Sequence, residues 1–373
     1  MSTFSDLRRK IDKSVKGVHI SILADSEIAK IDQWIQAPTY DFNRILSGSL
    51  KKGIPVKSHV VMVGPEASFK TSYICLLLVD ALRKGLKPVI IDTEGSWTNS
   101  FVERWGLDPR KVLYIYTPFT TEAMTVLSTI RESDEEGFAI AVDSIGGLER
   151  KKLFDDTLRG DHKADQGILQ KEIKQLLKML VNICKSKKSI AFSSAHYYGD
   201  PSGYGSPEKV GGGKYLKLSA DILISLKKYD IKEIIDGKSV ITGTGLTACT
   251  LKNRFYPPFN ETEIEINYIS GINKYVGLLN ICKTAGIIEQ KGAWYTYLKT
   301  GCKFCGVKEV MKFFESNKDI IDEIDEYVKN TGYSNINYEA AKLYNKESKK
   351  NDDEKEEEKI RIKKIKKDKE GVD

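Results

Sequence analysis

The stretch GPEASFKTS, Gly64 to Ser72, holds a lysine and a hydroxyl where a phosphate-binding loop needs them. The pattern G-x-x-x-x-G-K-[ST] asks three things of a chain. Backbone N–H groups wrap the phosphates, a lysine reaches the β and γ oxygens, and a hydroxyl binds magnesium. Gly64, Lys70 and Thr71 stand in register, with Pro65, Glu66, Ala67 and Ser68 between them and Ser72 after. Phe69 takes the place of the second glycine, which normally supplies freedom in φ and close backbone approach. The loop still serves if Phe69 keeps helical backbone angles and turns its ring away from the phosphates.

Acids at strand ends add weight. FAIAVD (138–143) ends in Asp143, an apolar run closed by the carboxylate that holds magnesium in such sites, and PVIID (88–92) leads into Asp92-Thr93-Glu94. Glu94 can orient or deprotonate a water that attacks a γ-phosphate. Each acid alone could simply cap a strand; together on one edge they point to a nucleotide and magnesium. His196 closes SIAFSSAH on the same edge, where a polar group can sense the γ-phosphate.

Two segments suit single-stranded nucleic acid, which is held by basic backbone contacts and stacked aromatic rings. The first, YYGDPSGYGSPEKVGGGKYLK, carries Tyr197, Tyr198, Tyr204, Lys209, Lys214 and Lys217 around Gly211, Gly212 and Gly213. The second, ERKKLFDDTLRGDHKADQG (149–167), reads as a loop with Arg150, Lys151, Lys152, Arg159 and Lys163. Composition alone leaves open that both are ordinary surface loops.

The elements that must position these groups alternate. Apolar strands at 59–64, 88–92, 111–116, 138–143, 189–195 and 220–226 are separated by helical spacing, the pattern of a doubly wound α/β sheet. VITGTGLTACTLKN and TEIEINYI read as antiparallel strands at one end of a mixed sheet, and residues 5–16 as a short helix. Residues 275–345 read as a small, mostly helical second domain with a hairpin at GAWYTYLKTG, and 346–373 as a charged tail, disordered or helical. Over 373 residues, 40% are apolar and 30% charged, the balance of a soluble globular protein. No apolar run spans a bilayer and the N-terminus lacks a signal-peptide core, so a cytosolic protein with no membrane partner is expected. The net charge of +7 hints at an anionic partner. Of six cysteines, Cys75, Cys184, Cys249 and Cys282 read as buried thiols; the lone pair Cys302 and Cys305 supplies half of a structural zinc site.

Taken together, the motifs resemble the RecA family of DNA strand-exchange ATPases, over most of the chain. GPEASFKTS is similar to that family's GPESSGKTT, VDSIGGL to VDSVAAL, VGGGKYLK to TGGNALK, and GAWYTY to GAWYSY; LKNRFYPPF resembles VKNKIAAPF. Phe69 and His196 depart from the bacterial form and resemble phage recombinases of the T4 type. The resemblance implies a RecA-like P-loop ATPase core at 36–274, an N-terminal oligomerisation segment at 1–35 and a small C-terminal α/β domain. It assigns the phosphate role to Lys70, magnesium binding to Thr71 and Asp143, water activation to Glu94, and adenine stacking to Phe101. Lys252 and Arg254 match a basic pair that reaches the adjacent protomer's ATP. Implied partners are single-stranded DNA, homologous duplex, further copies in a helical filament, a single-strand-binding protein and a mediator that loads it. Two rival readings stay open: a scaffold of this fold with little ATPase, and a ring helicase or motor.

Overall fold

The computed structural model describes residues 3–15, 20–160, 167–198, 209–210 and 213–337. Its centre is a sheet whose main path has nine strands: β1 (His59–Gly64), β2 (Lys87–Asp92), β3 (Leu113–Tyr116), β4 (Phe138–Asp143), β5 (Ile190–Tyr198), β6 (Ile222–Ile235), β7 (Lys238–Asn253), β8 (Glu261–Asn267) and β9 (Gly271–Ile272). Their order across the sheet is β9-β8-β7-β6-β1-β5-β4-β2-β3. From β6 to β3 all neighbours are parallel, while β6 to β9 pair antiparallel.

The continuous apolar runs are explained by cover on both faces. In β1, Val60 and Met62 enter one core and Val61 and Val63 the other, as the two-residue period of a strand dictates. Helices α2 (Tyr40–Ser47) and α3 (Lys70–Arg83) pack on the first face through Phe42, Ile45, Tyr73, Ile74, Leu77 and Leu78. Helices α5 (Thr120–Glu132) and α7 (Ile168–Ser186) cover the second through Leu127, Ile173, Leu177 and Leu180. The mostly parallel sheet flanked by helices anticipated from the alternation is therefore present.

Several elements differ from the sequence reading. The segment 149–167 is not a plain loop, because Lys151–Leu158 forms α6. Strand β5 runs on through His196 to Tyr198, where Tyr197 and Tyr198 pair antiparallel with Val210 and Lys209. Backbone pairing there outweighs the loop character of the glycines that follow. Tyr204, Lys163, Gly211, Gly212 and the tail from 346 lie outside the described residues. At the N-terminus, helix α1 is Thr3–Ser14.

Beyond the sheet, α9 (Leu278–Thr284), α10 (Val307–Ser316) and α11 (Asp319–Thr331) surround three antiparallel strands, β10 (Ile288–Lys291), β11 (Trp294–Tyr297) and β12 (Cys302–Cys305). More sheet is present here than the helical reading expected, since β12 adds to the hairpin. Leu50 joins this unit's core, and Asp325 accepts hydrogen bonds from Ser49 Oγ at 2.9 Å and Leu50 N at 2.6 Å, fastening it to the turn that follows α2. Cys302 and Cys305 stand three apart on one strand, so their side chains leave opposite faces. Among the described residues, no helix is long and apolar enough to cross a membrane.

Candidate nucleotide site and nucleic-acid loops

Parallel strands bring their carboxyl ends to one edge. Gly64 pairs with His196, Asp92 with Asp143, and Val142 with Ser193. Across that edge, Glu94, Asp143, Ser194, His196 and the loop at Gly64 therefore follow one another.

Gly64 is required by close approach: a Cβ there would lie 2.6 Å from the Leu226 carbonyl and 2.6 Å from Ser68 Oγ. Phe69, at the start of α3, has φ +67° and ψ +13°, a left-handed rather than helical backbone. The condition of helical angles is thus corrected. Phenylalanine adopts the conformation that a glycine would take freely, at about 1–2 kcal/mol. Its ring leaves the loop and meets Trp105 edge-on at 5.5 Å, against the first core. That packing offsets the backbone strain.

Lys70 is buried, its Nζ donating to the carbonyls of Pro65 at 2.7 Å and Gly64 at 3.2 Å and to Ser68 Oγ at 3.2 Å. Burial pushes its pKa down, opposed by the charges of Asp143, Glu94 and Glu66. Thr71 Oγ1 donates to Asp143 Oδ2 at 2.6 Å, Trp97 Nε1 donates to the same oxygen at 3.0 Å, and Ser194 Oγ donates to Oδ1. Burial raises the Asp143 pKa, and the hydrogen bonds from Ser194, Thr71 and Trp97 pull it back. A hydroxyl against a buried carboxylate, beside a buried ammonium, is a donor set that fits magnesium and a polyphosphate. Thr71 and Asp143 are the residues that would hold the metal.

Glu94 accepts from Ser144 Oγ at 2.5 Å, and His196 Nε2 lies 3.7 Å from Glu94 Oε1. Asp92 organises the turn that carries Glu94. Its Oδ1 accepts from Glu94 N at 3.0 Å and Gly95 N at 2.9 Å, its Oδ2 from Trp97 N at 3.0 Å and Tyr114 hydroxyl at 3.0 Å. Trp97, Ser144 and Ser194 escaped the sequence reading. Trp97 stands three residues after Glu94, but nothing in spacing says that its indole turns onto Asp143. Phe101 lies on α4 (Asn99–Arg104) and packs edge-on against Trp97 at 5.6 Å.

The basic segments follow β4 and β5 on this same edge. Arg150 Nε donates to Glu172 Oε1 at 3.2 Å and Lys151 Nζ to Glu122 Oε1 at 2.6 Å, so both have carboxylate partners within the chain. Lys152 and Arg159 are exposed on and just beyond α6. Gly213 precedes α8 (Lys214–Ser219), which carries Lys214 and Lys217; the segment holding Lys209 returns beside β5.

Lys252 and Arg254 are not brought to this edge. Lys252 pairs with Leu223, which lies beside Val61. Arg254 N donates to the Asp221 carbonyl at 3.1 Å, and Asp221 N to that of His59 at 2.8 Å. Arg254 is therefore level with the start of β1, roughly 17 Å below its end by strand rise. Lys252 Nζ donates to the carbonyls of Lys217 and Leu218 at 3.1 Å each, and burial lowers its pKa.

Fold, loop and strand-end carboxylates together define a P-loop α/β protein. A model of the RecA N-terminal domain matches residues 5–273. The chain belongs to the RecA family. It is similar to the RecA proteins of Clostridioides difficile strain 630 (28% identical over 289 residues, 77% of this chain and 80% of that protein). Those of Wolinella succinogenes (28% over 327 residues, 85% and 87%) and Aquifex aeolicus strain VF5 (28% over 294 residues, 78% and 82%) are comparable. These three relatives are bacterial, and the likeness to the phage type rests on Phe69 and His196.

Proposed function

We propose that this chain is an ATP-dependent recombinase that polymerises as a helical filament on single-stranded DNA, pairs it with homologous duplex and exchanges strands. Hydrolysis of ATP to ADP and phosphate, stimulated by DNA, resets the protomers. One observation carries the reading: Lys70, Thr71, Asp143, Glu94 and His196 share one sheet edge, whereas Arg254 lies level with the opposite edge and Lys252 two strand positions in from it. One chain cannot close the site with those cations, but a neighbour stacked edge to edge can.

Magnesium held by Thr71 and Asp143 would neutralise phosphate charge. Lys70 exchanges its loop carbonyls for phosphate oxygens, a stronger acceptor for a desolvated ammonium. Glu94, fixed through Ser144 and its turn through Asp92, takes the proton of the attacking water. His196 touches Glu94 and starts the segment that carries the nucleic-acid contacts, so phosphate occupancy and DNA affinity share one strand. A cation supplied in trans stabilises charge that develops on the transferred group.

Helix α1 fits the assembly. Phe4, Leu7, Ile11 and Val15 are exposed at helical spacing, an apolar stripe suited to a neighbouring protomer. The reading also keeps this protein nearer to the phage type, as Phe69 and His196 suggest.

The test is ATPase turnover with and without single-stranded DNA, and electron microscopy of DNA with a non-hydrolysable ATP analogue. Lys70→Ala is expected to abolish nucleotide-dependent filaments. Filaments and strand exchange unchanged in that variant would end the proposal. DNA binding without turnover would favour a scaffold, and directional unwinding without homology a motor.

A further inference from the structure

We propose that Asp221 aims Arg254 at a neighbouring protomer's nucleotide, a positioning role that rests on the trans-cation reading above. The Asp221 side chain is 3% exposed. A carboxylate so buried needs a full set of partners. Its Oδ1 lies 3.1 Å from Arg254 Nη1, its Oδ2 accepts from His59 N at 3.0 Å, and Lys185 Nζ stands 3.5 Å away. The Arg254 backbone N–H also bonds to the Asp221 carbonyl. The arginine is thus fastened to one residue by both its main chain and its side chain.

The geometry divides the guanidinium. One nitrogen is committed inward, while the side chain as a whole is 57% exposed and presents its remaining donors outward. Lys252 differs, because its partners are the uncharged carbonyls of Lys217 and Leu218. A long arginine without Asp221 would spread over many rotamers, and only a fraction would reach across a protomer boundary in register. Asp221 also ties the pair to β1 through His59, the strand that ends in the phosphate-binding loop. The nucleotide itself is gripped by Lys70 and Thr71 of the chain that owns the loop. Loss of aim should therefore lower kcat and leave KM for ATP nearly unchanged.

A double-mutant cycle on the full chain, read as DNA-stimulated ATPase, separates aiming from scaffolding. Asp221→Asn is expected to lower kcat about tenfold with KM shifted less than about twofold, and to cost less than about twofold more in an Arg254→Ala background. Equal losses in both backgrounds would make Asp221 a scaffold residue and overturn the proposal. A normal rate for Asp221→Asn beside an impaired Arg254→Ala overturns it too, while sparing the trans-cation reading. A fully active Arg254→Ala removes both. Circular dichroism melting accompanies each variant. If Asp221→Asn melts below the assay temperature, Asp221→Ser takes its place; failure of both to fold counts against the proposal.

Discussion

At Phe69 a single side chain carries two opposed energies. Its φ of +67° strains any residue with a Cβ, and its ring earns contact with Trp105. Phe69→Ala keeps the strain and loses the ring; Phe69→Gly loses the ring but relaxes the backbone. Urea titration is therefore expected to find the glycine variant more stable than the alanine variant by about 1 kcal/mol, the reverse of their order in a helix interior. His59 is a second residue with a measurable signature. Burial depresses its pKa to about 4 from the usual 6.5. Below pH 6.5 the unfolded chain takes a proton that the folded chain refuses until about pH 4. Stability thus falls on acidification through that window, by up to about 3 kcal/mol at its lower end. Denaturant titrations at neutral pH and near pH 5 should show a smaller loss in His59→Gln than in the parent. An equal loss would assign the acid sensitivity to other groups.

The turn after β2 is an element built around Asp92. Four donors converge on its two oxygens, and the turn they shape delivers Glu94 to Ser144 and His196. Asparagine at 92 keeps the size but sets an NH2 group against two of those donors. Asp92→Asn should cost about 2 kcal/mol and reduce ATPase turnover, because Glu94 loses its fixed approach. Tyr114 offers an independent readout. Burial and then its bond to Asp92 push the phenol to about 12, so ultraviolet titration of the variant should return it part of the way toward its usual value. An unmoved phenol with unmoved turnover would count against the clamp.

At the scale of the whole molecule, the proposed assembly draws on two surfaces of the described residues: that of Lys252 and Arg254, and the apolar stripe of α1. Leu7 is 50% exposed. Leu7→Glu should therefore leave monomer stability within about 0.5 kcal/mol while suppressing assembly in sedimentation velocity. Assembly at parental concentrations would remove α1 from the interface. Lys252→Ala with Arg254→Ala should lower DNA-stimulated turnover with an unchanged melting profile.

Local chemistry was enough to read HVVMVG and FAIAVD as strands, the loop from Gly64 to Ser72, and the acids that end β2 and β4. Each depends on a run of neighbours whose period and end residues carry the information. Phe69's backbone, the Trp97 and Ser194 bonds to Asp143, and the α6 helix inside a basic segment were not legible. They depend on residues far apart in sequence, since Ser194 meets Asp143 only because β5 lies beside β4. Sheet order is the decisive case. VITGTGLTACTLKN reads as antiparallel from its sequence, but no spacing along the chain states that β7 lies beside β6 and β6 beside β1, the order that carries Arg254 to the end of the sheet away from Lys70. The sequence by itself determined which residues stand where a nucleotide site would need them; the packing of distant strands into one sheet decided which of them can meet within a single chain.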